Sequence, residues 1–204
     1  MNTLSLLHAH CSLLPELIMI LLLLILLLIA ALLLTAIVCL ITLQLWRMLF
    51  GEAPFISTQS GPLHEIITHI PLRSGITLYE LGCGDGRVLI ACHQKEPHAQ
   101  YIGIEKNLLP YLLAQWRLFR YGRPKNITIL KKNLFQIDYS EADIIYAYLF
   151  PAMLDALLPK LMKELRPEAI TITPTFRFAK KQPSRSLQIS EVKSRIREVY
   201  ITTF

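Results

Sequence analysis

Residues 78–90 read LYELGCGDGRVLI, and the three glycines at positions 82, 84 and 86 decide the fold. An apolar, strand-like approach leads into them and a second apolar run follows. Without Cβ atoms such a backbone bends sharply and allows another molecule close to its peptide groups. A helix starting just after the turn adds free N–H groups that favour a carboxylate or phosphate. A strand, glycine turn and helix in this order predict a ligand site at the carboxyl end of a strand.

Working outward, strands and helices alternate. On the N-terminal side, Leu63, Ile66, Ile67 and Ile70 recur at helical spacing up to Pro71, and ITLYELG then reads as a buried strand. On the other side GRVLIACHQK reads as a helix and AQYIGIE as a strand, and NLLPYLLAQWRLFRYG reads as a helix opened by Asn107 and closed near Gly122. NITILKKN and ADIIYAYLF are strands, AMLDALLPKLMKEL is a helix carrying Pro159, and AITITPTF is a fifth strand. LQISEV and SRIREVYITTF are two further strands with no helix between them. Parallel strands need crossover helices, so this order predicts an α/β fold: a doubly wound, mostly parallel sheet with an antiparallel C-terminal edge.

The dinucleotide fingerprint G-x-G-x-x-G does not fit, because Arg87 follows Gly86 and the third glycine falls one residue early. Glu105, about twenty positions after the turn, ends the second strand, where a carboxylate accepts from both ribose hydroxyls. Glycine turn and strand-end acid together predict an adenosine nucleoside.

From Leu17 to Trp46 the chain has no charged residue and is dominated by Leu, Ile, Ala and Val. That exceeds the roughly 20 residues needed to span a bilayer core. A signal peptide is a poor match, since residues 1–16 contain no Lys or Arg and the apolar run is far longer than the usual h-region. We expect an extracytoplasmic tail over 1–16, a transmembrane helix over 17–46, a linker over 47–60 and the α/β nucleoside-binding domain over 61–204. All 21 Lys and Arg follow Trp46, which by the positive-inside rule places that domain on the cytoplasmic side of the membrane. Against them stand 14 carboxylates beyond Glu16, a basic excess suited to anionic headgroups. Nucleic acid is not expected as a partner, because the Lys pairs at 131 and 180 form no stripe with interleaved aromatics. Cys11, Cys39, Cys83 and Cys92 lack metal spacing, and the six histidines are scattered, so no metal is expected.

ELGCGDGR followed by IGIEKN resembles the class I S-adenosylmethionine-dependent methyltransferases. More narrowly, APFISTQSG, LGCGDGRVLI, GIEKNLLPYLLAQWRLFRYG, NLF and YLFPAML resemble a membrane-anchored branch related to the mitochondrial ATP synthase c-subunit lysine methyltransferase. The resemblance implies a Rossmann-like fold with S-adenosylmethionine as cofactor. It implies that Glu80, Gly82, Gly84 and Gly86 line the methionine half, that Asp85 sits at the helix start, and that Glu105 binds ribose. Asn133 falls at the third-strand end, where many relatives place Asp beside the adenine, and an amide still donates and accepts there.

The fourth strand ends in YAYLFP, where the family presents its acceptor. Tyr146 and Tyr148 share a strand face by the period of two, and their hydroxyls can steer an amine. Phe55, Tyr148 and Phe150 supply an apolar pocket that lowers the pKa of a lysine acceptor, and no catalytic base is evident. The acceptor reads as a lysine of a membrane protein. The alternatives are a lipid-soluble small-molecule acceptor, a cofactor-binding assembly module without turnover and a dehydrogenase, the last disfavoured by the misplaced glycine.

Overall fold

The computed structural model describes residues 3–49, 60–189 and 196–204. The chain divides into two units, Met1–Pro54 and Phe55–Phe204. The first is built on one helix, α1 (Thr3–Leu49), so most of the segment read as a tail is helical. Within it Pro15–Leu45, 31 residues, is long and apolar enough to cross a membrane. At 1.5 Å per residue this stretch measures about 45 Å, more than the roughly 30 Å hydrocarbon core. Every described side chain in that stretch is exposed, and Leu and Ile dominate it.

The second unit opens with α2 (Ser60–His69) and continues β1 (Thr77–Leu81), α3 (Arg87–Lys95), β2 (Gln100–Ile104), α4 (Leu108–Arg120), β3 (Ile127–Leu130) and β4 (Ile144–Ala147). It closes with α5 (Pro151–Glu164), β5 (Ile170–Pro174), β6 (Arg185–Gln188) and β7 (Glu198–Thr203). The seven strands form one sheet in the order β3-β2-β1-β4-β5-β7-β6. β1 to β5 are parallel, while β7 runs antiparallel between β5 and β6. The doubly wound sheet and its antiparallel C-terminal edge are those expected. Strand order reverses between β1 and β4, which makes the carboxyl ends of these two strands the switch point where ligands bind.

Two apolar layers cover the sheet. One joins Ile66, Ile70, Leu78, Val88, Leu89, Ala114, Leu118 and Tyr146 under α2, α3 and α4. The other joins Leu81, Ile104, Tyr139, Ile145, Leu154, Leu157 and Phe178 under α5. The Lys95 ammonium at the end of α3 donates to the carbonyls of Ile67, Thr68 and Ile70 at 2.7, 3.1 and 2.9 Å, which satisfies the exposed carbonyl end of α2. Of the expected linker, residues 50–59 lie outside the described residues, and Phe55 with them.

Candidate cofactor and acceptor site

The turn after β1 is built by glycine in the literal sense. Gly82, Gly84 and Gly86 have φ of 71°, 54° and 72°, a left-handed region that side-chain-bearing residues adopt at a cost. The Gly82 and Cys83 N–H groups both donate to the Ile104 carbonyl at 2.8 and 2.9 Å, and Gly86 N–H donates to Cys83 O at 2.8 Å. The loop is thereby pinned to the end of β2. Gly86 is the N-cap of α3 and no side chain caps the helix. A Cβ on Gly86 would meet Ala114 Cβ at 3.4 Å and Ile129 Cδ1 at 3.5 Å, ordinary contact distances, so the positive φ and not lack of space calls for glycine here.

Glu105 sits at the end of β2 with both oxygens engaged. Its Oε2 accepts from Gly84 N–H at 3.0 Å and its Oε1 from Asn107 N–H at 2.8 Å. The acid therefore ties the glycine turn to the start of α4 and is buried beside it. Asn133 follows β3 and accepts from Phe135 N–H at 3.1 Å, capping a short 3-10 turn over Leu134–Gln136.

Glu80, on β1, lies in register with Gly103 of β2 and Tyr146 of β4. It is buried, and its Oε2 has no hydrogen-bond partner among the described residues. Burial first, and then the negative charge of Asp85, push its carboxyl well above the ordinary carboxylate range, against a backbone hydrogen bond from Leu89 that favours the anion. An orphaned acid under a glycine turn has acceptor capacity to offer a cationic group.

Asp85 behaves in the opposite way. Burial raises its pKa, but the Arg87 hydrogen bonds and the charges of Arg87 and Arg117 outweigh burial and leave it lowered. Arg87 donates to it through Nε at 2.9 Å and Nη2 at 2.6 Å, and Arg117 Nη2 donates at 2.8 Å. The carboxylate thus clamps the first residue of α3 to the third turn of α4.

The carboxyl ends of β4 and β5 carry a different chemistry. Leu149 leans over the glycine turn, since a Cβ on Gly82 would come within 3.3 Å of its Cδ2. β4 ends at Ala147, so Tyr148 lies just beyond the strand. Tyr146 is fully buried in the sheet core, while Tyr148 is half-buried and stacks on Phe176 with centroids 6.4 Å apart. Phe150 meets the same Phe176 ring at 5.7 Å.

Phe176 has no counterpart in the sequence reading. It is delivered by a turn in which Phe176 N–H donates to Pro174 O at 2.7 Å around Thr175 at φ 66°. This three-residue turn with positive φ is the rare, strained form, and a β-branched centre adds to a cost of about 1 to 3 kcal/mol. The Thr175 hydroxyl is also buried without a partner among the described residues. No local sequence pattern announces this strained turn.

The residues present fit S-adenosylmethionine: a glycine-rich turn, an uncapped helix start, a buried acid with one unpaired oxygen among the described residues and a strand-end carboxylate converge at one switch point. The fold and this site define a class I S-adenosylmethionine-dependent methyltransferase, whose cofactor supplies a sulfonium-borne methyl group to an acceptor. Residues 80–185 match the ANTKMT methyltransferase domain, and the chain belongs to that family. Similar proteins include a protein-lysine N-methyltransferase of Saccharolobus islandicus, 25% identical over 69% of this chain and 87% of its own length. The adenine nucleotide translocase lysine N-methyltransferase of Mus musculus is 26% identical over 65% of this chain, and the ATP synthase c-subunit lysine N-methyltransferase of Homo sapiens is 28% identical over 61%. The aligned parts span 57% and 52% of those two mammalian proteins, so the chain matches little more than half of each. Among solved structures, an RNA methyltransferase of Salinibacter ruber in complex with S-adenosyl-L-homocysteine shares the fold, with a TM-score of 0.66 at 24% identity over 72% of this chain and 93% of that one.

Proposed function

We propose that this chain is a membrane-tethered enzyme that N-methylates a lysine of a membrane protein. In this reading Glu80, Gly82, Gly84 and Gly86 hold the methionine half of the cofactor, Glu105 the ribose and Asn133 the adenine edge. Asp85 acts by clamping α3 to α4, which keeps the glycine turn in place. Tyr148, Phe150 and Phe176 form the acceptor wall, and Tyr146, two residues before Tyr148 and on β4, is buried in the sheet core.

The observation that carries the reading is the cluster of Tyr148, Phe150 and Phe176 rings just beyond β4 and β5, β4 being the strand paired with the β1 that leads into the glycine turn. A lysine ammonium must lose its proton before its lone pair attacks, and exclusion of water by these rings lowers its pKa without a strong base. The chain's remaining task is alignment, which can supply most of the rate of a displacement. Support for lysine comes from three relatives named as lysine N-methyltransferases, and support for a membrane acceptor comes from Pro15–Leu45. The Lys and Arg bias beyond Trp46 supports a cytoplasmic domain.

Membranes incubated with the protein and methyl-labelled cofactor, then separated into protein and lipid extract, test the proposal. We expect label in protein, recovered as methyl-lysine after hydrolysis. Label confined to the lipid extract would replace lysine by a lipid-soluble acceptor.

A further inference from the structure

We infer that the outward face of α4 is a docking surface for an anionic lipid bilayer. α4 buries Pro110, Ala114 and Leu118 against the sheet. Its opposite side is also apolar: Leu109 is 70% exposed, Trp116 56% and Phe119 64%, and Leu108, Leu112 and Leu113 are exposed with them. Spacings of three and four residues line these side chains along one stripe. Surface helices normally turn charge outward, and a contiguous apolar patch of this kind marks a contact.

Charge selects the occupant. From residue 106 to 137 there are seven cations, Lys106, Arg117, Arg120, Arg123, Lys125, Lys131 and Lys132, and no Asp or Glu; among the described residues, Arg117 alone of the α4 arginines is paired with Asp85 of the glycine turn. Outside that segment 14 cations face 15 carboxylates, so the basic excess of the whole chain resides here. The guanidinium carbon of Arg120 lies 5.1 Å from the Trp116 ring centre and that of Arg123 5.5 Å from Phe119. Aromatic rings flanked by arginines suit the headgroup boundary, with apolar bodies entering the acyl region and cations remaining among phosphates. A nucleic acid would satisfy the cations but leave Leu109, Leu112 and Leu113 without a partner. A second copy of the chain would cover the leucines but bring like charges together.

Only ten residues separate α1 from α2, a contour of about 35 Å if fully extended. In this respect the inference rests on the tether reading: an inserted α1 keeps α4 supplied with lipid surface. The face itself is argued from α4 and the basic residues that flank it, without α1.

The test uses the full chain carrying Trp46→Phe, which leaves Trp116 as the sole tryptophan, in phosphatidylcholine vesicles with and without phosphatidylglycerol. Resistance to alkaline carbonate extraction reports insertion of α1 and is scored separately. Shallow spin-labelled phosphatidylcholine is expected to quench Trp116 emission when phosphatidylglycerol is present, and raised salt should relieve the quenching. Each of Arg120→Gln and Arg123→Gln should lower the ratio of docked to free domain about fivefold. Leu109→Gln with Leu112→Gln should abolish quenching while cofactor binding, measured by calorimetry, is kept. Quenching that survives the leucine changes would overturn the inference, since proximity to the anchor alone would then explain it. So would an absence of quenching in carbonate-resistant protein. Trp116 shielding without lipid quenching that grows with protein density would assign the face to a second copy, and shielding that follows added RNA would assign it to nucleic acid; either overturns a lipid surface.

Discussion

The two halves of the switch point are made from different material. At the ends of β1 and β2 the proposed cofactor side presents backbone: three glycines at positive φ, the N–H groups of a helix start and the Glu105 carboxylate fixed by two peptide N–H donors. At the ends of β4 and β5 the proposed acceptor side presents side chains, the rings of Tyr148 and Phe150 gathered on Phe176, which follows a strained turn. A cofactor common to many acceptors is best read by main-chain geometry, which most side-chain exchanges leave in place. An acceptor that differs between enzymes is best read by replaceable side chains. The contrast predicts that changes at one end affect cofactor binding and changes at the other affect only turnover.

The largest effect is expected from Gly84→Val, which places a branched Cβ on a backbone at φ 54°. Calorimetry should find cofactor binding abolished, and retained binding would mean that side-chain exclusion is not what shapes this half. Glu105→Ala should weaken the cofactor by about 1.5 to 3 kcal/mol, roughly ten- to 150-fold, the worth of hydrogen bonds to a charged group. The same change frees the Gly84 and Asn107 N–H groups, so a matching fall in melting temperature should accompany it.

On the acceptor side, Phe176→Ala should lower kcat/KM about 10- to 100-fold through lost positioning, with cofactor affinity unchanged. Equal losses in both would dissolve the distinction between the halves. The smallest effect separates stability from binding at one residue. Because the folded state raises the Glu80 pKa, it retains a proton that the unfolded chain has lost, and stability falls as pH rises from the ordinary carboxylate value through the folded one. Glu80→Gln removes that dependence, so the ligand-free protein should melt roughly 2 to 5 °C higher at neutral pH while binding cofactor less well. A melting temperature unchanged from pH 5 to pH 8 in the parent protein would show that Glu80 is not the group responsible.

The same contrast explains what could be read in the sequence. The glycine turn and Glu105 lie about twenty residues apart on one β-α-β unit, so composition and spacing expose them. The alternating elements were legible for the same reason, their periods being local. Tyr148 was harder: ADIIYAYLF reads as one strand, yet β4 stops at Ala147, because Pro151 starts α5 and Phe150 has already turned to become its N-cap. Phe176 was invisible, since its role depends on Thr175 adopting a conformation its residue type disfavours. Gly103 passed as an ordinary strand residue, although a Cβ there would stand 2.6 Å from Leu89 Cδ1 and 2.8 Å from Cys83 Sγ. Its necessity comes from the loop folded back over it.

Neighbouring strands within the cofactor half are close in sequence, with Thr77 paired to Gln100 and Tyr101 to Ile127. Joining the acceptor half requires Thr77 to meet Asp143, whose Oδ2 accepts from the Thr77 N–H at 2.8 Å across 66 residues. Closing the longer loop costs only about 1 kcal/mol more entropy than the short ones, a modest thermodynamic difference. Its kinetic meaning is larger, because distant contacts form late. During folding the nucleoside end can therefore take shape as a local unit first, and the cleft acquires its second wall only when β4 docks, so the long β1–β4 closure sets when the protein becomes an enzyme.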